Sequence, residues 1–118
     1  MVAPAEVTLL MRTLADPTRR AIYERIVSER EATVGTLTRY ARVSQPAVSQ
    51  HLKALQDASL IVGRRDGRNM FYRAKPRGLS SLAVWMQQYE QFWSESFDRL
   101  DDYLKELKGK EQHARKKR

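Results

Sequence analysis

The sequence predicts a mostly α-helical domain that carries one small two-stranded β-hairpin. Apolar residues recur at spacings of three and four along most of the chain, which is the period of an amphipathic helix. Around Asp66-Gly67 this spacing stops, and the flanking stretches Ile61–Arg65 and Asn69–Ala74 are typical of strands joined by a tight turn. A chain of 118 residues has room for a single core.

Two helices are predicted before residue 28. Asp16-Pro17 separates them, because aspartate caps a helix and proline is tolerated at the first helical position. The first helix has its apolar stripe at Val7, Leu10, Met11 and Leu14. The second has its buried side at Ile22, Tyr23, Ile26 and Val27.

The third and fourth helices are short and follow each other closely. Thr33 is predicted to cap one and Ser44 the other, with Pro46 in the first turn of the latter. Inward-facing residues are Val34, Leu37 and Ala41, then Val48, Leu52 and Leu55. Only two residues separate Thr33–Ala41 from Ser44–Ala58, which is the spacing of a helix-turn-helix whose second helix enters the DNA major groove.

The outer face of the fourth helix is short and polar, with Gln45, Ala47, Ser49, Gln50 and Lys53. No acidic residue occurs between Tyr40 and Gln56, so this face can approach a polyanion without repulsion. Glutamine, serine and lysine can hydrogen-bond base edges or phosphates, and alanine can touch a thymine methyl group. The alternative interpretation is an ordinary solvated helix.

The hairpin adds a second indication of nucleic-acid binding. Its predicted tip carries Arg64, Arg65 and Arg68, which can contact phosphates or the minor groove. Because a two-stranded hairpin is marginal alone, we expect Ile61, Met70 and Tyr72 to pack it on the helices.

The net charge of +8 is localised along the chain. Residues 1–38 sum to 0, residues 39–77 to +7, residues 78–107 to −4 and residues 108–118 to +5. A basic middle beside an acidic last helix indicates phosphate contact on one face. We expect a domain over residues 1–107 and a basic, disordered tail over residues 108–118, which either follows DNA phosphates or is simply solvated.

One long helix is predicted from Leu79 to Leu107. Its apolar positions recur every three or four residues, which suits a helix-to-helix interface between two chains. Burial of several aromatic side chains would hold such a pair together. The apolar positions of this helix include Leu82, Met86 and Leu100. The alternative is a pocket for a flat organic effector, lined by its aromatic residues Trp85, Tyr89, Phe92, Trp93 and Phe97.

The composition excludes several other classes. The chain has no cysteine, so disulfides, thiolate metal sites and cysteine nucleophiles are excluded. It lacks a phosphate-binding glycine loop, a nucleophile elbow and a ligand triad, so we expect no enzyme and no cofactor.

The two histidines have different expected roles. We expect His51 to form a hydrogen bond to a phosphate or a structural hydrogen bond, and we expect His113 to be incidental. The carboxylates of Asp98, Asp101 and Asp102 could hold a cation, but a solvated face is favoured. No signal peptide or membrane span is recognised, so a cytoplasmic protein is expected.

The order of these elements, α-α-α-α-β-β-α, with LADPTRR at 14–20 and SQPAVSQHLKAL at 44–55, resembles the ArsR/SmtB winged helix-turn-helix regulators over about residues 4–107. The resemblance implies a homodimer through the first and last helices that binds a palindromic operator in double-stranded DNA and represses a promoter, often its own. The DNA-binding residues are then Thr36, Ser44, Gln45, Ala47, Ser49, Gln50, His51, Lys53, Arg64, Arg65, Arg68 and Asn69. The dimer interface is formed by Val7, Leu10, Met11, Leu14, Leu82, Trp85, Met86, Tyr89, Phe92, Trp93 and Leu100.

Two departures from that family bear on regulation and on the turns. Metal-responsive members have cysteines on the third helix or histidines on the last, and this chain has neither, so the effector could be a small organic molecule, a protein or none. The glycines that usually end the third and fourth helices are replaced by Arg42 and Ser59, which then adopt a left-handed backbone unless the turns differ. A second hypothesis is a dimeric protein-interaction module in which DNA binding is incidental.

Overall fold

A computed structural model describes the backbone of residues 4–116, with the side chains of residues 5–92 and 99–111. The chain divides after Trp85 into two compact units. The first unit holds most of the elements and the second is helical. In chain order the elements are α1 (Pro4–Ala15), α2 (Pro17–Glu29), β1 (Ala32–Thr33), α3 (Val34–Ala41), α4 (Gln45–Asp57), β2 (Ile61–Asp66), β3 (Asn69–Ala74), α5 (Ser80–Gln87) and α6 (Glu90–Lys116).

Three helices begin at the predicted capping residues. The carboxylate of Asp16 accepts the Arg19 N–H at 2.9 Å, at the start of α2. The Thr33 hydroxyl accepts the Thr36 N–H at 3.2 Å, at the start of α3. Ser44 Oγ accepts the Ala47 N–H at 3.3 Å and starts α4. Each bond satisfies a backbone donor that has no partner inside the helix, so these boundaries are encoded locally.

The core of the first unit lies between α2, α3, α4 and the sheet. The predicted inward-facing residues of α4 are confirmed, because Val48, Leu52 and Leu55 are all at most 1% exposed. Burying each of these side chains contributes about 2 kcal/mol, which holds α4 in one orientation. The largest fully buried side chains are Ile22, Ile26, Leu37, Leu52, Leu55, Leu60, Ile61 and Val48.

The sheet has three antiparallel strands in the order β1-β3-β2, where the sequence predicted two. The additional strand is Ala32–Thr33, which pairs with β3 through Ala32 opposite Tyr72. Two residues are too few to show the alternating pattern by which a strand is predicted from sequence. The predicted hairpin itself is confirmed, with Asp66 opposite Asn69 and Gly67 at a φ of +62° in the loop between them.

The long last helix predicted from Leu79 to Leu107 is in fact two helices. α5 ends at Gln87, where the Tyr89 N–H bonds the Met86 carbonyl three residues back instead of four, and α6 follows from Glu90. No proline or glycine marks this break, and the apolar spacing continues through it, so the sequence pattern could not reveal it. Although α6 is 27 residues long, none of the described helices is long and apolar enough to cross a membrane.

Most of the segment predicted to be a disordered tail is helical in the structure, since α6 continues to Lys116. The segment from residue 108 onward is rich in lysine, glutamate, glutamine, alanine and arginine, which are all good helix formers. Its lack of apolar residues denies it a core but does not prevent extension of an existing helix, because each added residue costs no new nucleation.

Candidate nucleic-acid interface

One face of α4 is buried and the opposite face is open. Gln45, Ser49, Gln50 and Lys53 are exposed, and Ala47 is half-buried. Lys53 Nζ lies 3.8 Å from Asp57 Oδ2, with the two side chains 79% and 67% exposed. An ion pair this exposed contributes little, so the lysine remains available to another partner. The outer face of α4, which we call the reading face because it is predicted to contact DNA bases, is therefore accessible in the folded chain.

The turn between α3 and α4 fixes where α4 starts. Arg42 ends α3 in the left-handed region at φ 58° and ψ 32°, and its N–H bonds the Thr38 carbonyl at 3.1 Å. Ser59 adopts a φ of 59° after α4. The expected left-handed conformations at the two positions without glycine are confirmed. Val43 packs against the core and anchors the turn.

Two predicted DNA-contacting hydroxyls are engaged in helix caps. Thr36 is half-buried, and its Oγ1 lies 3.0 Å from Oγ1 of Thr33 in the cap of α3. Ser44 accepts a backbone bond but is exposed, so its own hydroxyl hydrogen is free to be donated outward. Thr36 is thus the less accessible of the two.

His51 is half-buried and faces α2. Its Nδ1 accepts a hydrogen bond from Arg19 Nε at 3.3 Å. The sequence left open whether His51 bonds a phosphate or forms a structural hydrogen bond. In the folded chain its imidazole forms a structural hydrogen bond. Within the described side chains, no group of three His, Cys, Asp or Glu residues is placed to hold a metal ion.

The wing, which we define as β2, β3 and their connecting loop, exposes Arg65, Arg68 and Asn69 as predicted. Arg64 is exposed as well, but its guanidinium has partners within the chain. Its Nη2 bonds Glu31 Oε1 at 2.5 Å, Nη1 lies 3.6 Å from Asp66, and the guanidinium sits 4.9 Å from the Phe71 ring centre. The hydrogen bond and charge of Glu31 raise the pKa of Arg64 above its usual value. Arg64 therefore ties the wing to the segment before β1.

Sequence reasoning missed two residues that position this surface, Arg19 and Glu31. Arg19 stands in the LADPTRR motif, which was noted for its capping signal and its family resemblance. Glu31 is 33 residues from Arg64, and no local pattern relates them. Only the fold brings either residue to its partner.

The predicted interface residues whose side chains the structure describes fall into three groups. Val7 and Leu10 are at most 5% exposed within the described chain, and Leu10 belongs to its core, so they leave little surface for a second chain. Leu14 and Leu82 pack partly against that core, and Trp85 is half-buried. The side chain of Trp93 lies outside the described residues. The exposed members are Met11, Met86, Tyr89, Phe92 and Leu100.

Comparison with known proteins agrees with this geometry. Residues 14–64 match a helix-turn-helix domain family. The chain is 43% identical over 83 residues to the HTH-type transcriptional regulator Rv2034 of Mycobacterium tuberculosis, covering 70% of this chain and 74% of that protein. It is 39% identical over 75 residues to the HTH-type transcriptional repressor SmtB of the same species, covering 64% of this chain and 55% of that one.

The fold comparison decides the assignment. The crystal structure of an ArsR family transcriptional regulator superimposes with a TM-score of 0.70 at 26% identity, covering 80% of this chain and 97% of that one. The chain belongs to the ArsR/SmtB family of transcriptional regulators. This ArsR/SmtB protein is a DNA-binding regulator and not an enzyme. Its mostly helical fold with a small antiparallel sheet is the winged helix of the family.

Proposed function

We propose that this ArsR/SmtB regulator is a sequence-specific repressor that binds a palindromic operator as a homodimer, in the compartment that holds the DNA. The observation that carries the proposal is the open polar face of α4. That face is free of acidic groups from Gln45 to Lys53, and it is rigidly backed by Val48, Leu52 and Leu55. A rigid helix of this kind can dock in a major groove at hydrogen-bond distance from the bases.

The residues divide into two roles. Gln45, Ser49 and Gln50 carry neutral donors and acceptors, which discriminate base edges. Arg65 and Arg68 carry exposed charges on the wing, which attract phosphates whatever the sequence. Arg64 supports the wing through Glu31 and contributes less to DNA contact than the other two arginines.

A dimer supplies the second half-site contact. α6 exposes several large apolar side chains, among them Phe92 at 87% and Tyr103 at 56%. Two-fold pairing through such a surface would present two copies of α4 to two half-sites of a palindrome. Occupation of that palindrome upstream of its own gene would make the protein autoregulatory.

We also propose that thiolate metals do not regulate this protein, because the chain has no cysteine. An effector, if one acts, would then be a small organic molecule or another protein. Metal sensing through sulfur needs the thiolate ligands that this sequence lacks.

The first prediction separates base reading from phosphate contact. Gln50→Ala should reduce the preference for the best duplex over random duplex by about tenfold, the cost of one lost bidentate base contact. Arg68→Ala should weaken binding to both duplexes by similar factors and lower the salt dependence. The measurement is a titration of each variant with a duplex selected from a random pool, with the gene's own upstream region and with random duplex.

Gln87→Ala, an exposed glutamine on α5, is the matched control and should change neither quantity. If Gln50→Ala and Arg68→Ala both weakened every duplex equally, the division of roles would be wrong. If the wild type bound random duplex as tightly as the selected one, a protein-interaction module built on the exposed apolar residues of α6 would be the better hypothesis.

A further inference from the structure

The side chain of Arg19 connects the end of α1, the start of α2 and the middle of α4. Its Nε donates to Nδ1 of His51 at 3.3 Å, and its Nη1 donates to the Thr13 carbonyl at 3.4 Å in the last turn of α1. Its backbone N–H is held by Asp16 at 2.9 Å. Arg19 and His51 are both partly buried, so solvent competes less with these bonds than at an exposed surface.

The pairing dictates the protonation of His51. A guanidinium has donors only, so Nδ1 must offer a lone pair, and the single proton of the neutral ring must then be on Nε2. An imidazolium has a proton on both nitrogens. It could not accept from Arg19 and would face that guanidinium as a second cation.

We propose that Arg19 and His51 form a positioning pair that holds the DNA-reading helix α4 against the end of α1 only while the imidazole is neutral. The proposal rests on the function proposed above and deepens it, because it assigns a requirement that DNA binding places on a residue outside the reading face. In this proposal His51 supports DNA binding through its hydrogen bond to Arg19. A histidine that contacted a phosphate would instead support DNA binding through its positive charge.

Opposite pH dependences follow from these two roles. A histidine that contacts phosphate as a cation strengthens DNA binding as the pH falls. Protonation of Nδ1 removes the acceptor that Arg19 needs, so a cationic His51 ring would weaken binding. The charged neighbours of the imidazole at the start of α2 are Arg19 and the Asp16 carboxylate. On α3, which also packs against α4, Arg39 is exposed and Tyr40 is stacked 4.8 Å beneath Arg25.

The test uses the full chain and four variants. His51→Asn keeps an acceptor bonded to Cγ, near the position of Nδ1, but cannot titrate. His51→Ala removes the acceptor, and Arg19→Lys keeps the charge but loses the Nε donor. Arg20→Lys is the matched control, because the side chain of the neighbouring Arg20 bonds only the Leu14 carbonyl among its described contacts.

Three measurements bear on the pair. Nitrogen-15 NMR of the free protein should show His51 protonated on Nε2 at neutral pH. A double-mutant cycle between Arg19→Lys and His51→Ala, measured on unfolding and on binding to the selected duplex, should show a coupling of about fivefold. On acidification of the buffer, wild type should lose about fivefold in affinity relative to His51→Asn, which should retain most of the affinity that His51→Ala loses.

Any one of three results would overturn the proposed pair. The first is a ring protonated on Nδ1, and the second is additive effects in the unfolding cycle. The third is wild-type binding that strengthens at low pH relative to His51→Asn. The NMR and unfolding measurements need no DNA. If no duplex were selectively bound, the proposed function would fail while these two measurements would still decide whether the pair exists.

Discussion

Arg30, Arg42 and Ser59 are the non-glycine residues that adopt a positive φ within the described chain, at 66°, 58° and 59°. Arg30 and Arg42 lie directly after a helix and Ser59 lies two residues after the end of α4, at positions where a left-handed residue lets the last carbonyls find partners. For Arg42 that gain is a 3.1 Å bond from its N–H to the Thr38 carbonyl. A side chain in this region costs about 1 kcal/mol relative to glycine, so the turn before α4 is formed at a local expense in stability.

We predict that Arg42→Gly stabilises the protein by about 0.5 kcal/mol, because the lost strain exceeds the larger chain entropy of glycine in the unfolded state. Urea unfolding at equilibrium gives the value. Thr8→Gly, at an exposed site in the middle of α1, is the control and should destabilise by a similar amount. A loss of stability in Arg42→Gly would mean that the arginine side chain makes contacts that outweigh its strain.

Helix α2 is stabilised at its start by the capping residue Asp16. The Asp16 carboxylate accepts the Arg19 N–H, and this bond lowers the pKa of Asp16 below its ordinary value, with a smaller contribution from the charge of Arg19. A group whose pKa is lower when folded adds stability at pH values above its unfolded pKa. That contribution disappears as the pH falls through the folded value, when the carboxyl becomes protonated.

Asp16→Asn retains an acceptor for the cap but has no charge to titrate. We therefore predict that the variant is less stable than wild type at neutral pH and that the two converge as the pH falls toward about 2. Thermal unfolding at a series of pH values provides the comparison. Glu24→Gln, an exposed carboxylate on the same helix, serves as the control for general charge effects. A stability difference that did not depend on pH would contradict the role of the carboxylate charge.

The wing is an element that one side chain links to a distant residue. Arg64 contacts Glu31, Asp66 and the face of Phe71, so it links β2 both to β3 and to the segment before β1. Arg65 and Arg68, which are also exposed, are the arginines of the β2–β3 loop region that we expect to contact DNA. The wing thus uses one arginine for its own position and offers the others outward.

At the scale of the whole molecule, the exposed apolar surface of α6 determines the assembly we expect. Leu100, Tyr103, Leu104 and Leu107 recur at spacings of three and four and are all more than 40% exposed. Such a stripe on a helix is typical of a surface that pairs with another helix. A second copy of the chain is the occupant that a dimeric repressor requires.

We predict that the wild type sediments as a dimer and that the pair Leu100→Glu and Leu104→Glu weakens dimerisation by at least about tenfold. Charges at these two positions would have to be buried without partners in the interface. Analytical ultracentrifugation over a concentration series measures the effect, and circular dichroism checks that the helices remain. Lys108→Glu, an exposed polar position on the same helix, should not change the dimer. Dimerisation unaffected by the leucine substitutions would place the interface elsewhere.

Much of the fold is decided by neighbours in the chain. The capping bonds of Asp16, Thr33 and Ser44 span three residues each, and the buried stripe of α4 follows the helical period, so helix boundaries and core positions are readable from the letters. The hairpin turn is similarly local. The polar outer face of α4 follows from the same period.

Tertiary structure alone decided which long polar side chains are engaged with partners far away in the sequence. The bond of Arg19 to His51 spans 32 residues and that of Arg64 to Glu31 spans 33, so their formation depends on the packing of α2, α4 and the sheet. The strand β1 likewise forms only because β3 lies beside it. The break between α5 and α6 contains no proline or glycine from which it could be predicted. Local periodicity specifies what faces inward, but the partner of a long polar side chain is selected by the assembled fold.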